Sequence, residues 1–431
     1  MIKENGQDDL RRFSAGFSTL QVTQITPRVW HVLGLGHSNA IFAEGTEHVL
    51  LIDTLDTAER GRALREIIWQ KTGKRVKTIL YTHSHPDHLG GAGAFCEDEP
   101  EVIAFTAKTG PLAGTERLKD ILALRGVRQF GYQLSDEQAI SQGIGIREGH
   151  THGETPSFLS PTLLFSQDIA ARRIDGIQVE MRRLVGESED QAAIFLPEEK
   201  VLCCGDNFYG CWPNLYAIRG CQYRDIAAWV RSLDTLLTYP AEYLLPGHTA
   251  PVCGRKQVQD TLKNDRDAID FILTQTLCGM DEGKTIDQLA TEIRLPEKWA
   301  SLPYLGEYYG CVEWTVRAIY TAYLGWFDGD PTHLHPLPPK TKAEKTVALM
   351  GGEEAVRDAA QKALRDKEPQ WCLELCDLLF ALGKSDDQLL RQKAAALEAM
   401  AERETSANGR HYYLACAQEL CQKANQENQP V

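Results

Sequence analysis

The run TILYTHSHPDHLGG, residues 78–91, constrains this chain more than any other stretch. It places His83, His85, Asp87 and His88 within six positions, directly after an apolar segment of strand character. A strand end feeding a loop aims His83 and His85 at one point, and Asp87 and His88 at a second point close by. Imidazole nitrogens and carboxylate oxygens are the donors zinc takes in open catalytic sites, and two ions ~3.5–4 Å apart can share one oxygen. The competing reading is a solvated, histidine-rich turn. The order of the donors, after a strand and before Gly-Gly, favours the metal.

Around this motif short β-like runs alternate with turns: RVWHVLGLG, NAIFAEG and HVLLIDTLD, the helical AERGRALREIIWQKTG, then VKTILYT. IQVEMRRLVG, AAIFLP, KVLCCGD and EYLLPG extend the series. Strands mixed with helices, without a strict βαβ repeat, predict sheets sandwiched between helices. From about residue 255 helical periodicity takes over, which predicts two domains, 1–255 and 256–431. A Pro-rich hinge, DPTHLHPLPPKTKAEK, interrupts the second of these, and the amphipathic segments beyond it predict helical hairpins. Cys372 and Cys376 lie four apart in WCLELCDLLFAL, on one helix face with leucines, and are expected in a core.

A formal charge of −14 argues against a nucleic-acid backbone as the main partner, which would need a basic face. No apolar run approaches the ~20 residues that span a bilayer, and MIKENGQDDLRRF has no apolar signal core, so the expected location is cytoplasmic. The twelve cysteines are scattered and are expected as free thiols.

His83, His85, Asp87 and His88 match, position by position, the motif of the metallo-β-lactamase superfamily, which the chain resembles. The resemblance implies an αββα sandwich, followed here by an all-α domain, with the site at one edge of the two sheets. It implies two Zn2+ ions, a bridging carboxylate after a strand, supplied by Asp206 in CCGD, and a last histidine, supplied by His248 in LLPGH. Asp53 in LLIDT matches the aspartate that orients a ligand histidine. The remaining ligand is usually a histidine in a Gly-His turn about twenty residues ahead of the bridging carboxylate. Gly186-Glu187 keeps that frame, whereas His150 and His152 in EGHTHGET lie too far upstream. Glu187 is therefore preferred, and the two histidines are expected to line a pocket or face solvent.

A glutamate at that place resembles the alkyl sulfatase branch, and the likeness extends to WPNLYAIRGCQYRDIAAW, GEYYGCVEWTVRAIYTAYLGWFDGDP and SANGRHYYLACAQEL. The last two are similar to the start and end of that branch's helical dimerisation domain, which implies a homodimer. The sterol-carrier-like domain of many members has no counterpart, which implies a weaker preference for long alkyl tails. The resemblance thus implies a binuclear zinc hydrolase of alkyl sulfate esters acting through a metal-held hydroxide. His83, His85 and Glu187 would hold one ion, Asp87, His88 and His248 the other, with Asp206 between them. Three carboxylates leave the two dications with a net charge of about +1, suited to an anionic small molecule.

Asp87, Asp206 and Arg219 are the expected catalytic residues, and Arg219 would offer paired donors to sulfate oxygens, its alternative being an ordinary salt bridge. Tyr308 and Tyr309 are expected either at the substrate or in a core. Trp326 and Phe327 are expected as helix-end core. The chain departs from the branch at Asp206, where a glutamate is usual, and at Glu313-Trp314, where the branch has His-Asn. An ionised Glu313 facing the substrate would repel sulfate. Hydrolysis of another ester, lactone, thioester, β-lactam or phosphodiester, and a non-catalytic association module, are the rival readings.

Overall fold

A computed structural model of the chain describes residues 5–110 and 112–427. Seven strands form the first sheet in chain order: β1 (Gln21–Thr26), β2 (Val29–Leu33), β3 (Ala40–Glu44), β4 (Val49–Ile52), β5 (Val76–Leu80), β6 (Glu101–Phe105) and β7 (Leu163–Phe165). The pairs from β1 to β4 are antiparallel and those from β4 to β7 parallel. The second sheet holds β8 (Ile169–Ile174), β9 (Ile177–Arg183), β10 (Ala192–Leu196), β11 (Val201–Gly205), β12 (Tyr243–Pro246) and β13 (Val252–Cys253). Its order is β13-β12-β11-β10-β9-β8, with β11 and β12 its parallel pair.

Every residue of β10 and β11 is buried, as unbroken apolar strands require when both faces are covered. Ile41, Leu50, Ile52, Leu80 and Ile103 of the first sheet meet Val179, Ile194, Val201 and Leu245 of the second. The outer face of the first sheet, with Val32, Phe42 and Leu51, is closed by Leu64 and Ile68 of the helix Ala58–Thr72. That helix starts where Thr57 accepts a hydrogen bond from the Arg60 amide, and stops at Gly73 in the left-handed region. On the outer face of the second sheet, Phe195, Leu202 and Leu244 pack with Trp229, Leu262, Ile269, Val316 and Ile319. Each such side chain contributes on the order of 1.5–3 kcal/mol by leaving water. The four layers are the expected αββα sandwich.

The chain forms two compact units, and they do not divide at 255. The sandwich unit comprises Arg11–Lys119 and Ser141–Gly325. The helices Arg255–Asp281 and Val312–Leu324 belong to it because their apolar faces complete the core over the second sheet. Helical periodicity reports an amphipathic face but not which partner covers it. The other unit takes the described residues up to Leu10, Asp120–Ile140, and the chain from Trp326 onward. Its core is built by the helices Glu353–Arg365, Pro369–Ala381, Asp387–Arg403 and Ala407–Glu427, and includes the fully buried Cys372 and Cys376. The segment 120–140 is fixed to it by an Arg128–Glu419 ion pair and by His411, whose ring nitrogens face the carbonyls of Gln129 at 3.1 Å and Ala139 at 2.9 Å. Trp326 is not core: it follows the Gly325 that ends its helix and is 75% exposed.

Candidate metal centre

The site is assembled from the carboxyl ends of strands in both sheets. Asp53 follows β4, His83 lies just past β5, Glu187 past β9, Asp206 directly after β11 and His248 two residues after β12. His85 is extended and precedes the short helix Pro86–Leu89, whose proline fixes the first turn. Asp87 and His88 lie in that turn, so the motif's donors leave the chain in different directions.

All seven expected donors converge. His83 Nε2 lies 3.0 Å from His85 Nδ1 and 3.7 Å from Asp206 Oδ2, and His85 Nδ1 lies 3.3 Å from Glu187 Oε2. Asp87 Oδ2 is 3.4 Å from both His88 Nε2 and His248 Nε2, which are themselves 3.3 Å apart. Asp206 Oδ2 stands between the two sets, 3.6 Å from His88 Nε2 and 3.4 Å from His248 Nε2. His85 and Asp87, the least buried of the seven, form the open side.

The protons of these rings are directed outward. His88 Nδ1 is 2.7 Å from Asp53 Oδ2, while the Thr82 amide and hydroxyl also bond to that carboxylate. His248 Nδ1 donates to the His37 carbonyl at 3.0 Å. Both Nε2 atoms then face the carboxylates in a buried space. Asp206 Oδ1 is buried and has no hydrogen-bond partner among the described residues. This donor set fits divalent cations. Without them, burial alone would raise the Asp206 carboxyl, but His248, His88 and His83 together push it well below the usual range. Gly247 leaves the room: a Cβ there would come within 2.1 Å of Asp206 Oδ1 and 2.8 Å of His88 Cε1.

Sequence reasoning missed three neighbours. Arg224 NH1 lies 2.8 Å from Glu187 Oε1 in a buried ion pair, and the Tyr209 hydroxyl donates to the same oxygen at 3.0 Å. Burial works to raise the Glu187 carboxyl, yet Arg224 and His85 outweigh it and hold the group at about 2. Arg224 lies in the quoted QYRD segment, but nothing local reveals that it reaches Glu187. The third, His37, stands alone in LGHSNA and lies with Asp87 and His248 in a third cluster of ligand-type atoms.

The expected substrate residues are placed less uniformly. Tyr309 is buried, and burial, with the charges of Glu187 and Asp87, raises its hydroxyl well above the usual range. Tyr308 is stacked on Phe13 with ring centroids 4.0 Å apart, a packing role. Glu313 is bonded to Arg317 at 3.0 Å, one helical turn on, and Arg317 also holds Asp287. His150 pairs with Glu148 and His152 is exposed; neither joins a metal-type cluster.

The family model for the metallo-β-lactamase superfamily matches residues 33–248, and that for alkyl sulfatase dimerisation matches 285–423. A linear primary-alkylsulfatase of Pseudomonas sp. is 36% identical over 392 residues, covering 88% of this chain and 73% of that protein. The chain belongs to the alkylsulfatase family of the metallo-β-lactamase superfamily. An alkyl/aryl-sulfatase of Saccharomyces cerevisiae is 31% identical over 415 residues, 93% of this chain and 64% of the relative. Among solved structures, the stereoselective inverting sec-alkylsulfatase of Pseudomonas sp. superposes with a TM-score of 0.84 at 28% identity, covering 96% of this chain and 67% of that one. The chain thus spans between 60% and 73% of the length of these curated alkylsulfatases. The family's fold implies divalent metal binding. No helix among the described residues is long and apolar enough to cross a membrane.

Proposed function

We propose that this chain is a two-zinc hydrolase of alkyl sulfate esters. The observation that carries the reading is the convergence of seven ligand-type side chains, Asp206 between the other six, in a chain of the alkylsulfatase family. His83, His85 and Glu187 would hold one ion, Asp87, His88 and His248 the other, and Asp206 would touch both. Zinc bound there supplies Lewis acidity, which lowers the pKa of water and draws charge from ester oxygens.

The chain's own residues do the rest. Asp53 holds His88, and Arg224 with Tyr209 holds Glu187, each keeping a donor atom turned inward. Arg219 offers parallel N–H donors to the sulfate oxygens. Tyr309, kept neutral by burial, would be a hydrogen-bond donor to the same group. Glu313 is turned to Arg317, one helical turn on, which it shares with Asp287. The loop bearing Arg219 also lines, through Tyr216, Ile218 and Tyr223, a recess of about 510 Å³ to which Trp314 contributes, suited to an apolar tail.

The match to the dimerisation family supports a homodimer, and twelve cysteines outside any disulfide among the described residues fit a reducing, cytoplasmic setting. The test is to load purified protein with zinc, count the metal, and assay alkyl sulfates of several chain lengths beside a lactone and a chromogenic phosphodiester. About two zinc ions per chain and sulfate release from the alkyl sulfates are expected. Turnover of another substrate class alone, or a protein that retains no metal, would refute the proposal.

A further inference from the structure

We infer that His37 is an additional ligand of the second ion, the one assigned to Asp87, His88 and His248. This rests on the two-metal reading above. His37 is 4% exposed, and its Nδ1 faces the Ile146 carbonyl at 3.2 Å. A carbonyl only accepts, so Nδ1 carries the proton of the neutral ring and Nε2 presents its lone pair. That Nε2 lies 3.9 Å from Asp87 Oδ2, and the ligand atoms of His37, Asp87 and His248 all lie within 4.8 Å of one another.

A separation of 3.9 Å is too long for a hydrogen bond. It suits two donors on one ion, since ligands each ~2.0–2.2 Å from zinc stand between about 3 and 4.3 Å apart. His37, His88 and His248 then share one design, with Nδ1 anchored outside the cluster and Nε2 turned toward Asp87.

The backbone around His37 is stitched to both loops that carry ligands of this ion. The Ser38 hydroxyl donates to the Asp87 carbonyl at 2.7 Å, and the Asn39 amide donates to the Gly247 carbonyl at 2.7 Å. The Asn39 side chain donates to the carbonyls of Pro246 at 3.0 Å and Thr249 at 2.8 Å. The His37 carbonyl itself receives the His248 proton. A histidine so fixed reaches the cluster without reordering the loop.

With Asp206, the second ion then has five protein donors where the other has four, so it is held more tightly and is less open to substrate. The experiment uses the full chain loaded with zinc or cobalt. Wild type and His37→Ala are dialysed against rising chelator, the metal per chain is counted, and the visible spectrum of the cobalt form is recorded. We expect wild type to hold two ions, and His37→Ala to release one of them at a chelator concentration at least ~10-fold lower with a changed cobalt spectrum. His37→Asn repeats the comparison with a polar side chain at the position. Anomalous diffraction from metal-loaded wild-type crystals gives a reading independent of variant folding, with Nε2 expected ~2.0–2.2 Å from an ion. A variant that keeps both ions with wild-type affinity and spectrum overturns the inference, as does an ion centred more than ~3 Å from Nε2, beyond any bonding distance. Wild type that holds no ion overturns the two-metal reading and this inference together.

Discussion

Replacing Arg224 with methionine isolates the electrostatics of the site from its metals. The guanidinium NH1 sits 2.8 Å from Glu187 Oε1, with side-chain exposures of 6% and 5%. Two unit charges at that distance attract by about 6 kcal/mol at an effective dielectric constant of ~20. Desolvation offsets much of this, so the measurable effect is the cost of stranding Glu187, about 3–5 kcal/mol. The carboxyl leads to a similar figure: held at about 2 in the fold against ~4.3 in an unfolded chain, it is worth roughly 3 kcal/mol. Because the folded value is the lower one, this stability is present above the unfolded pKa and is lost as pH falls from ~4.3 toward 2.

Chemical denaturation of the chelated protein at pH 7 is therefore expected to show Arg224→Met destabilised by about 3–5 kcal/mol, with the gap narrowing in acid. Adding Glu187→Gln removes the stranded charge, and the double variant is expected to recover at least ~2 kcal/mol. A single variant within about 1 kcal/mol of wild type, or a double variant whose losses simply add, would show that the pair does not carry the energy assigned to it.

Asp265 is fully buried with both carboxylate oxygens lacking a hydrogen-bond partner among the described residues, and burial raises its pKa well above the usual range. Its folded form binds the proton more tightly than the unfolded chain, so stability falls as pH rises above ~4; Asp265→Leu is expected to gain on the order of 1–3 kcal/mol near pH 8 and little near pH 4, and equal pH slopes for the two proteins would contradict this. Gly247→Ala puts a methyl group against Asp206 and His88. Desalted protein is expected to lose at least one ion per chain while circular dichroism stays unchanged, and full metal retention would be the contrary result.

His83, His85, Asp87 and His88 were legible as a local run, THSHPDH, past a strand end, whereas Glu187, Asp206 and His248 were implied only by the family resemblance. Their convergence could not be read from composition; it follows from strands of two sheets ending at one edge. Arg224 and His37 were not legible, since each acts through contacts with residues far along the chain: Glu187, thirty-seven positions earlier, and Asp87 and His248. The helices Arg255–Asp281 and Val312–Leu324 read as helices, but that their apolar faces pack over the second sheet did not, because periodicity does not name the surface an apolar face will meet. Tyr308 illustrates the same limit, its ring being taken up by Phe13 from near the chain's start.

The helical unit is drawn from three separate stretches of chain, the middle one an excursion out of the sandwich unit. Its members therefore leave the ribosome far apart in time: residues 120–140 must wait for Glu419 and His411 before their ion pair and carbonyl partners exist. Until then Leu134 and Ala139, both buried in the finished fold, wait for the helix that carries His411. It also means that no single proteolytic cut can release either unit whole.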